Sequence, residues 1–392
     1  MDHPRLLVIL GMNLTALAVA RSAHRWGIEP WVVDVDSGPA ASSRVVRSVV
    51  EPSRSRASLL QEIISQLGDR RAWLVSTSDA WNHELIANRE RVDAAFARVL
   101  QPSNDALATC LSKTSFASWC EAHGVPAPRQ YRFDVATSQV IGDVAFPVFM
   151  RPDETQHGRP RPGIAKARPA TTASELSACV ARFHEDGLVP SISESLLDRD
   201  LQQISVGVAI DGDDATAVVA RKVRPLAQAC RVGTLVETID DDEAESLALT
   251  TLRKLEYEGI CEVEILKDNA TGDMYVIEIN ARPWIQFALA EAAGRDLLGF
   301  FLTDRRDARR ERQRKRVWLD FSTDVWNCFN RDDGLVRRRR ISLSGYLRSL
   351  LRADVYARWS LRDPWPFFAE TFALGGAVLR TLRRRPLSSK PC

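Results

Sequence analysis

Short apolar runs alternate with amphipathic stretches through residues 1–105. The runs near residues 6–10, 30–35 and 72–76 have the length of buried strands, and the stretches between them repeat apolar residues at helical spacing. Strands of this kind, joined by helices, are typical of a parallel sheet that is covered on both faces. The pattern therefore predicts an α/β, Rossmann-like domain. Its helices are expected near residues 15–26, 57–67 and 80–98.

The first apolar run also allows a different interpretation. Arg5, the apolar stretch after it and Ala18-Val19-Ala20 have the order of a secretory signal peptide with a small-residue cleavage site. A strand, a turn at Gly11-Met12-Asn13, a helix and a second strand would instead open a doubly wound sheet, and this interpretation is preferred. The seven cysteines are scattered and include no CxxC pair, which indicates reduced thiols in a cytoplasmic protein.

The pattern changes beyond residue 105. A helical stretch over residues 105–122 is followed by Val125-Pro126-Ala127-Pro128, which must be extended because proline does not fit a helix interior. Antiparallel strands follow, with hairpin turns predicted at Asp211-Gly212-Asp213 and over residues 268–273. The predicted organisation is a domain over 1–105, an α+β domain over 106–302 and a basic extension over 303–392.

The overall composition limits the classes of partner. Of the 392 residues, 45% are hydrophobic and 27% are charged, which suits two or three packed domains. The formal net charge is only +2, so no global electrostatic field favours nucleic acid, and no nucleic-acid partner is expected.

The strongest chemical signal lies in a predicted hairpin whose polar turn is centred near Thr271. That centre would set Glu264 directly opposite Glu278, and Asn280 and Arg282 would share their face of the hairpin. Facing carboxylates repel each other unless a cation lies between them. Carboxylate and amide oxygens suit Mg²⁺ (or Mn²⁺), so a metal site at Glu264, Glu278 and Asn280 is predicted. A solvated surface hairpin is the alternative.

Several motifs occur around this hairpin in a fixed order. Val263-Glu264-Ile265 and Ile277 to Pro283 match the pattern "vEf … iEiNpR". Upstream, Ser112-Lys113 with Gly124 to Pro128 is similar to "DK … GvPvP", with Ser112 in place of the usual Asp, and Phe146 to Pro152 is similar to "fPvvvKP". Together these motifs resemble the ATP-grasp superfamily over roughly residues 5–302. The resemblance implies an ATP-grasp domain over 106–302, with a small lid part near 125–190 and a large part near 191–302.

The resemblance also implies how a nucleotide is held. In the family, a Lys in each of the two upstream motifs contacts ATP phosphates, and here the second Lys is replaced by Arg151. The loop from Gly158 to Gly163 is similar to the flap over the triphosphate, and Ile192 to Leu197 is similar to the adenine hinge. An ordinary basic loop and an ordinary edge strand are the alternatives. The implied nucleotide-binding residues are Lys113, Arg151, Lys166, Glu194, Leu196, Leu197 and, for the ribose, Asp200.

A further segment resembles one branch of the superfamily, the D-aspartate ligase-like carboxylate–amine ligases. Ala220 to Pro225 and Val232 to Glu237 match its "rKvRq … vGt" pattern, which implies that Lys222 and Arg224 face an anionic substrate or the γ-phosphate. Arg282 would stabilise the transferring phosphoryl group. The implied function is a Mg-ATP-dependent ligase that joins a small-molecule carboxylate to an amine, such as an amino acid, through an acyl phosphate. A carboxyphosphate-forming carboxylase and a non-catalytic nucleotide-binding adaptor are the alternatives.

The extension over residues 303–392 is rich in Arg and Trp and includes the run Arg337 to Arg340. Such a cationic, amphipathic segment predicts either packing against the ligase core, which is preferred, or peripheral contact with the inner face of a membrane. A solvated, partly disordered basic end and contact with another polyanion are the alternatives. No segment approaches the roughly 18 apolar residues of a membrane-spanning helix. The expected location is therefore cytoplasmic, with membrane contact as a peripheral addition, and a homodimer is compatible with the sequence.

Overall fold

The computed structural model describes residues 4–68, 70–134, 139–154, 168–225, 232–303, 312–330 and 333–372. They form three sheets, the first parallel and the other two largely antiparallel. This architecture confirms the predicted combination of an α/β domain with an α+β domain. None of the helices described is both long and apolar enough to cross a membrane.

The N-terminal sheet is built from five parallel strands with helices on both faces. Leu7 and Ile9 pack into the same core as the helix that follows them, whereas Leu6 and Val8 pack on the opposite face. The predicted strand–turn–helix opening is confirmed, but the helix predicted over residues 80–98 is two helices. The elements are β1 (Leu6–Leu10), α1 (Leu14–Arg25), β2 (Glu29–Asp34), β3 (Arg47–Val50), α2 (Arg56–Leu67), β4 (Ala72–Ser76), α3 (Asp79–Ala87), α4 (Arg89–Ala95) and β5 (Arg98–Val99), with strand order β3-β2-β1-β4-β5.

Two helices, α5 (Asn104–Leu111) and α6 (Lys113–Ala122), replace the single helix predicted over residues 105–122. Ser112 separates them, because its backbone is extended and its side chain accepts a hydrogen bond from the Ser115 N–H at the start of α6. The Ser112 hydroxyl also donates to Asp153 (2.9 Å). The break therefore sets Lys113 at a helix N-terminus.

The second sheet is small and antiparallel, and one helix, α7, covers it. Val148, Met150 and Ile192 form its core with Phe183 of the helix. The elements are β6 (Gln130–Asp134), β7 (Gln139–Ile141), β8 (Val148–Pro152), β9 (Arg168–Ala170), α7 (Ala173–Glu185) and β10 (Pro190–Glu194), with strand order β7-β6-β10-β8-β9.

The third sheet has seven strands, and the last two come from the C-terminal extension. The described part of the extension therefore packs against the core, which is the interpretation preferred from the sequence. The predicted turn at Gly212 is also confirmed, since Asp211 pairs with Asp214 across it. The elements are β11 (Leu201–Asp211), β12 (Asp214–Pro225), β13 (Gly233–Thr238), α8 (Asp242–Lys254), β14 (Gly259–Asp268), β15 (Met274–Asn280), α9 (Phe287–Ala292), β16 (Val317–Leu319), α10 (Phe321–Phe329), α11 (Leu343–Leu350) and β17 (Val355–Tyr356), with strand order β15-β14-β11-β12-β13-β16-β17.

One face of the large sheet meets the N-terminal domain through Trp284. The indole lies over Gly207 of β11, where a Cβ atom would come within 2.9 Å of the ring. Trp284 is fully buried and belongs to the core that also contains α1. Since Gly207 pairs with Glu262 of β14, this contact brings the N-terminal domain beside the acidic hairpin.

The C-terminal extension is also tied to the N-terminal domain. Asp363 is 1% exposed and pairs with Arg21 of α1, whose Nε lies 3.0 Å from the carboxylate. The Ser43 hydroxyl and the Arg44 N–H donate to the same carboxylate. The residues between β17 and Asp363 therefore connect the large sheet to the first domain.

Candidate active site

The hairpin formed by β14 and β15 carries the acidic residues selected from the sequence. Glu264 pairs directly with Glu278, and Glu262 pairs directly with Asn280, so all four side chains lie on one face of the sheet. The predicted pairing of the two glutamates is confirmed by this register.

A β-bulge creates that pairing. The ladder is regular from the turn to the pair Ile265–Val276, and its continuation would set Ile277 against Glu264. The register instead shifts by one residue, so Glu278 takes that position and Ile277 is the extra residue. Without the bulge, Glu278 would lie on the opposite face, because successive side chains of a strand alternate.

Three cations from three different elements converge on the two glutamates. Lys222 Nζ of β12 lies 3.0 Å from Glu264. Lys113 Nζ, at the start of α6, lies 3.8 Å from Glu278, and Arg151 of β8 lies 3.7 Å from the other oxygen of the same carboxylate. Both residues predicted to contact phosphate therefore reach one point, although they come from separate parts of the chain.

The amide of Asn280 connects the acidic pair to a third carboxylate. Its Nδ2 donates to Glu262 (2.9 Å) and to Glu264 (3.3 Å). Glu262 is 5% exposed and was not selected from the sequence. Its position two residues before Glu264, on the same face of the strand, is a signal that could have identified it.

Arg282 joins the hairpin to the N-terminal domain. Its Nε donates to Asp79 at 3.1 Å, and another of its nitrogens donates to the Asn280 side-chain oxygen at 3.3 Å. Asp79 is the first residue of α3 and follows the carboxyl end of β4. Asp79 was not among the residues predicted from the sequence, although side chains at the carboxyl ends of parallel strands commonly line ligand sites.

Two cations of the site, Lys222 and Arg282, keep their charge because of the carboxylates around them. Burial by itself lowers the pKa of the Lys222 ammonium, but Glu264, Glu262 and Glu278 outweigh that effect and raise the pKa. Burial likewise opposes the charge of Arg282, and Asp79 and Glu262 raise its pKa overall. Both groups are therefore fixed positive charges at neutral pH rather than proton acceptors.

The predicted hinge is the connection from β10 of the small sheet to β11 of the large sheet. Glu194 is fixed there, since its side chain accepts a hydrogen bond from the Arg129 N–H (2.8 Å). Leu196 is buried, whereas Leu197 is 45% exposed. The Asp200 carbonyl accepts a hydrogen bond from the Asn269 N–H (2.9 Å). The hinge thus offers one exposed apolar side chain between the two sheets.

Arg224 does not face the acidic cluster, which corrects the expectation from the sequence. Lys222 pairs with Val236 of β13, but a register shift pairs Arg224 with Leu235. Because Leu235 and Val236 are adjacent, the two cations lie on opposite faces of the sheet. The Arg224 guanidinium instead forms two hydrogen bonds, of 2.8 and 2.7 Å, with the buried carboxylate of Asp324.

Two other predicted features lie outside the described residues. They are Lys166 and the loop from Gly158 to Gly163, which belong to the range 155–167.

The donor set suits an ion that is shared with a nucleotide. Within the described parts of the chain, no three Asp, Glu, His or Cys side chains gather into a metal cage. Mg²⁺ is commonly held by one or two carboxylates together with substrate phosphates, rather than by such a cage. Glu264 and Glu278 supply two facing carboxylates and Asn280 an amide, so these residues fit Mg²⁺ in company with phosphate.

Among the described residues, no cysteine is placed or ionised for chemistry at this site. Cys110 and Cys261 are free thiols that lie in the core on the other face of the sheet. Burial raises the pKa of both thiols, so neither supplies a thiolate at neutral pH.

One part of the chain matches a known protein family. Residues 122–301 match the family described as carbamoyl-phosphate synthase L chain, ATP binding domain. None of the curated proteins with which the chain was compared matches it significantly.

Solved structures share the fold at low sequence identity. N5-carboxyaminoimidazole synthetase from Staphylococcus aureus, complexed with ADP, is 13% identical with a TM-score of 0.58, over 75% of this chain and 74% of that one. Biotin carboxylase from Campylobacter jejuni is 14% identical with a TM-score of 0.56, over 74% and 68% of the two chains. An L-amino acid ligase from Bacillus licheniformis is 13% identical with a TM-score of 0.53, over 72% and 68%. The sequence match over residues 122–301 and this shared fold agree with the motifs around the acidic hairpin, which resemble those of the ATP-grasp superfamily.

Proposed function

We propose that this protein is an ATP-dependent ligase that joins a small-molecule carboxylate to an amine through an acyl phosphate. The observation that carries the proposal is the convergence of Lys113, Arg151 and Lys222 on the directly paired Glu264 and Glu278. Nothing in the packing of the core requires three cations and two carboxylates on one face of a sheet. Binding of a polyanion together with a divalent cation accounts for both kinds of charge.

The cations are positioned to exchange a carboxylate partner for a phosphate partner. Lys113 and Arg151 lie at 3.8 and 3.7 Å from Glu278, at the long end of ion-pair distances. Phosphate oxygens would draw both away from Glu278, and the planar guanidinium of Arg151 can grip phosphate through two nitrogens. Glu264, Glu278 and Asn280 would then hold Mg²⁺ (or Mn²⁺), which supplies positive charge against the phosphate oxygens.

The reaction that fits this arrangement has two steps. An oxygen of the substrate carboxylate attacks the γ-phosphorus, the bond from that phosphorus to the β–γ bridging oxygen breaks, and ADP leaves. The amine nitrogen then attacks the acyl carbon of the acyl phosphate, the carbon–oxygen bond to phosphate breaks, and inorganic phosphate and the amine proton are released. Lys222 and Arg282 contribute fixed positive charge near the phosphoryl group in both steps, which lowers the barrier where negative charge develops.

A carboxyphosphate-forming enzyme is the second candidate. Two of the proteins that share this fold, the N5-carboxyaminoimidazole synthetase and the biotin carboxylase, have carboxylation in their names. In that case bicarbonate would take the part of the substrate carboxylate. The site residues would keep the same roles toward ATP.

Phosphate release from ATP across a panel of carboxylates and amines tests the proposal. A ligase should release phosphate only when both substrates are present, and hydroxylamine in place of the amine should trap the acyl phosphate as a hydroxamate. Release with bicarbonate alone would favour the second candidate. Nucleotide binding without turnover under every condition would indicate an adaptor and contradict the proposal.

The replacement Arg151→Lys should retain or raise turnover. If Arg151 stands where a phosphate-binding Lys is usual, a lysine ammonium supplies the same charge. Steady-state phosphate release measures the effect, with Arg132→Lys, an exposed change on β6 of the same sheet, as the matched control. A large loss confined to Arg151→Lys would mean that the planar guanidinium itself is required.

The replacement Leu197→Ala should weaken ATP binding by about fivefold, because burial of a leucine side chain against adenine contributes on the order of 1 kcal/mol. Stability should not change, since this side chain is 45% exposed. Titration with a non-hydrolysable ATP analogue measures the Kd. Val189→Ala is the control, because Val189 is equally exposed (45%) and lies outside the hinge. Equal Kd values for the two variants would contradict a role for Leu197 in adenine binding.

A further inference from the structure

Exposed apolar side chains are concentrated in the C-terminal part of the protein. Among the described residues, seventeen large apolar side chains are exposed, and ten of them belong to residues 317–372. Scattered single exposures are normal for a soluble protein, but a concentration in one segment marks an interaction surface. The ten are Phe321, Trp326, Phe329, Leu343, Leu347, Leu351, Leu361, Trp365, Phe368 and Phe372.

Helix α11 shows most clearly that packing within the chain does not explain these exposures. Its inner side is anchored by Tyr346, which is 3% exposed, forms an edge-on contact with Phe329 and lies beside the Arg224 guanidinium. On its outer side, Leu343, Leu347 and Leu351 follow one another at intervals of one helical turn and are 55%, 52% and 89% exposed. These exposures mean that the described part of the chain does not cover the apolar row. The row is unusual, because the outer side of a surface helix is normally polar.

Positive charge surrounds the apolar row. Residues 333–352 contain six Arg and a single acidic residue, Asp333. The run from Arg337 to Arg340 is exposed and ends just before α11, while Arg348 and Arg352 lie in its last turn and directly after it. Two of these arginines have acidic neighbours, Arg338 with Asp333 and Arg352 with Glu237. Six arginines against the carboxylates of Asp333 and Glu237 leave this surface with a positive net charge.

We propose that α11 and the arginines at its two ends bind the surface of a membrane that contains anionic lipid. An apolar row between cationic ends suits the boundary of a bilayer, where leucines enter the acyl region and guanidinium groups contact lipid phosphates. Long arginine side chains can reach the headgroups while the helix lies in the plane of the interface. Tyr346 and Arg224 hold α11 on the large sheet, so membrane binding would bring the ATP-binding domain to that surface. This inference does not depend on the proposed ligase activity.

Vesicle sedimentation with the full-length protein tests the proposal. The protein should sediment with vesicles of phosphatidylcholine mixed with phosphatidylglycerol, sediment little with phosphatidylcholine alone, and be released by added salt. The double replacement Leu347→Glu and Leu351→Glu should reduce the bound fraction at least about tenfold, because it sets two anions against an anionic surface. Ile141→Glu is the matched control, since Ile141 is 58% exposed on the small sheet, and this variant should bind like the unmodified protein.

A second pair of variants separates charge from apolar contact. Replacing Arg348 and Arg352 by glutamine should weaken the preference for phosphatidylglycerol, because it removes two of the six arginines, while leaving the circular dichroism spectrum and the ATP affinity unchanged. The proposal is overturned if the protein does not sediment with phosphatidylglycerol vesicles at low salt. It is also overturned if the double leucine variant and Ile141→Glu bind equally well. Retention on an immobilised acidic protein without any vesicle binding would identify a protein partner and would likewise overturn it.

Discussion

Replacing Glu278 by alanine should lower ATP turnover by about three orders of magnitude, roughly 4 kcal/mol in activation free energy, while the fold stays intact. Glu278 pairs directly with Glu264 and is the shared partner of Lys113 and Arg151. Its removal takes away a carboxylate that the proposed function assigns to the metal ion. It also leaves Lys113 and Arg151 without the negative charge between them.

Three measurements separate loss of chemistry from loss of structure in this variant. Phosphate release should fall to near background, the thermal unfolding midpoint should change by little, and binding of an ATP analogue should be weakened far less than turnover. The small change in stability is expected because the Glu278 side chain is about a quarter exposed and lies outside the apolar core. Glu243→Ala, which removes an 81% exposed carboxylate, is the control and should have no effect. Near-normal turnover by a folded Glu278→Ala protein would contradict the assignment of this site.

Replacing Asp324 by alanine should destabilise the protein by about 3–5 kcal/mol without removing any group that is proposed to contact ATP. Asp324 is fully buried and accepts two hydrogen bonds from Arg224 and one, of 2.6 Å, from Thr234. The alanine variant would leave a guanidinium that is only 6% exposed without a counter-charge. The cost of leaving a buried charge unpaired, rather than the strength of the ion pair, sets the size of the effect.

Chemical denaturation and limited proteolysis measure this loss. Because Asp324 lies in α10 and Arg224 in β12, the first segment to open should be the C-terminal extension. Glu185→Ala, which breaks an exposed ion pair with Arg182, should cost less than about 1 kcal/mol. The double replacement Arg224→Met and Asp324→Leu should recover much of the stability, since it removes both charges together. If Arg224→Met instead abolished turnover in a stable protein, Arg224 would have a catalytic role that this geometry does not provide.

The pairing of Glu264 with Glu278 was predicted correctly from the sequence, although the prediction did not include the β-bulge that produces it. A turn centred at Thr271 predicts that Glu264 and Glu278 pair, and they do. The regular part of the ladder, however, is centred between Ala270 and Thr271. The bulge at Ile277 shifts the register by one residue, which moves the centre of the Glu264–Glu278 pair to Thr271. No local property of Ile277 indicates that a bulge occurs there.

Arg224 illustrates the opposite outcome. Strict alternation predicts that Lys222 and Arg224 share a face, but a register shift between them sends Arg224 to the other side of the sheet. The buried carboxylate that receives it belongs to α10, a hundred residues further along the chain. Sequence alternation cannot detect such a shift, since it depends on how two strands pair rather than on either strand alone.

The amino-acid sequence by itself determined the type of fold, the order of the motifs and the residue types that gather on the acidic hairpin, but not the breaks that divide two of the predicted helices. Apolar periodicity, proline positions and the spacing of Glu264, Glu278 and Asn280 are local properties, so a single chain segment is enough to express them. Only the tertiary structure decided which charged groups meet. Asp79 contacts Arg282, and both Arg151 and Lys113 lie beside Glu278, because the three sheets pack together. Contacts between such distant segments depend on which apolar faces are buried against each other, and not on neighbours in the sequence.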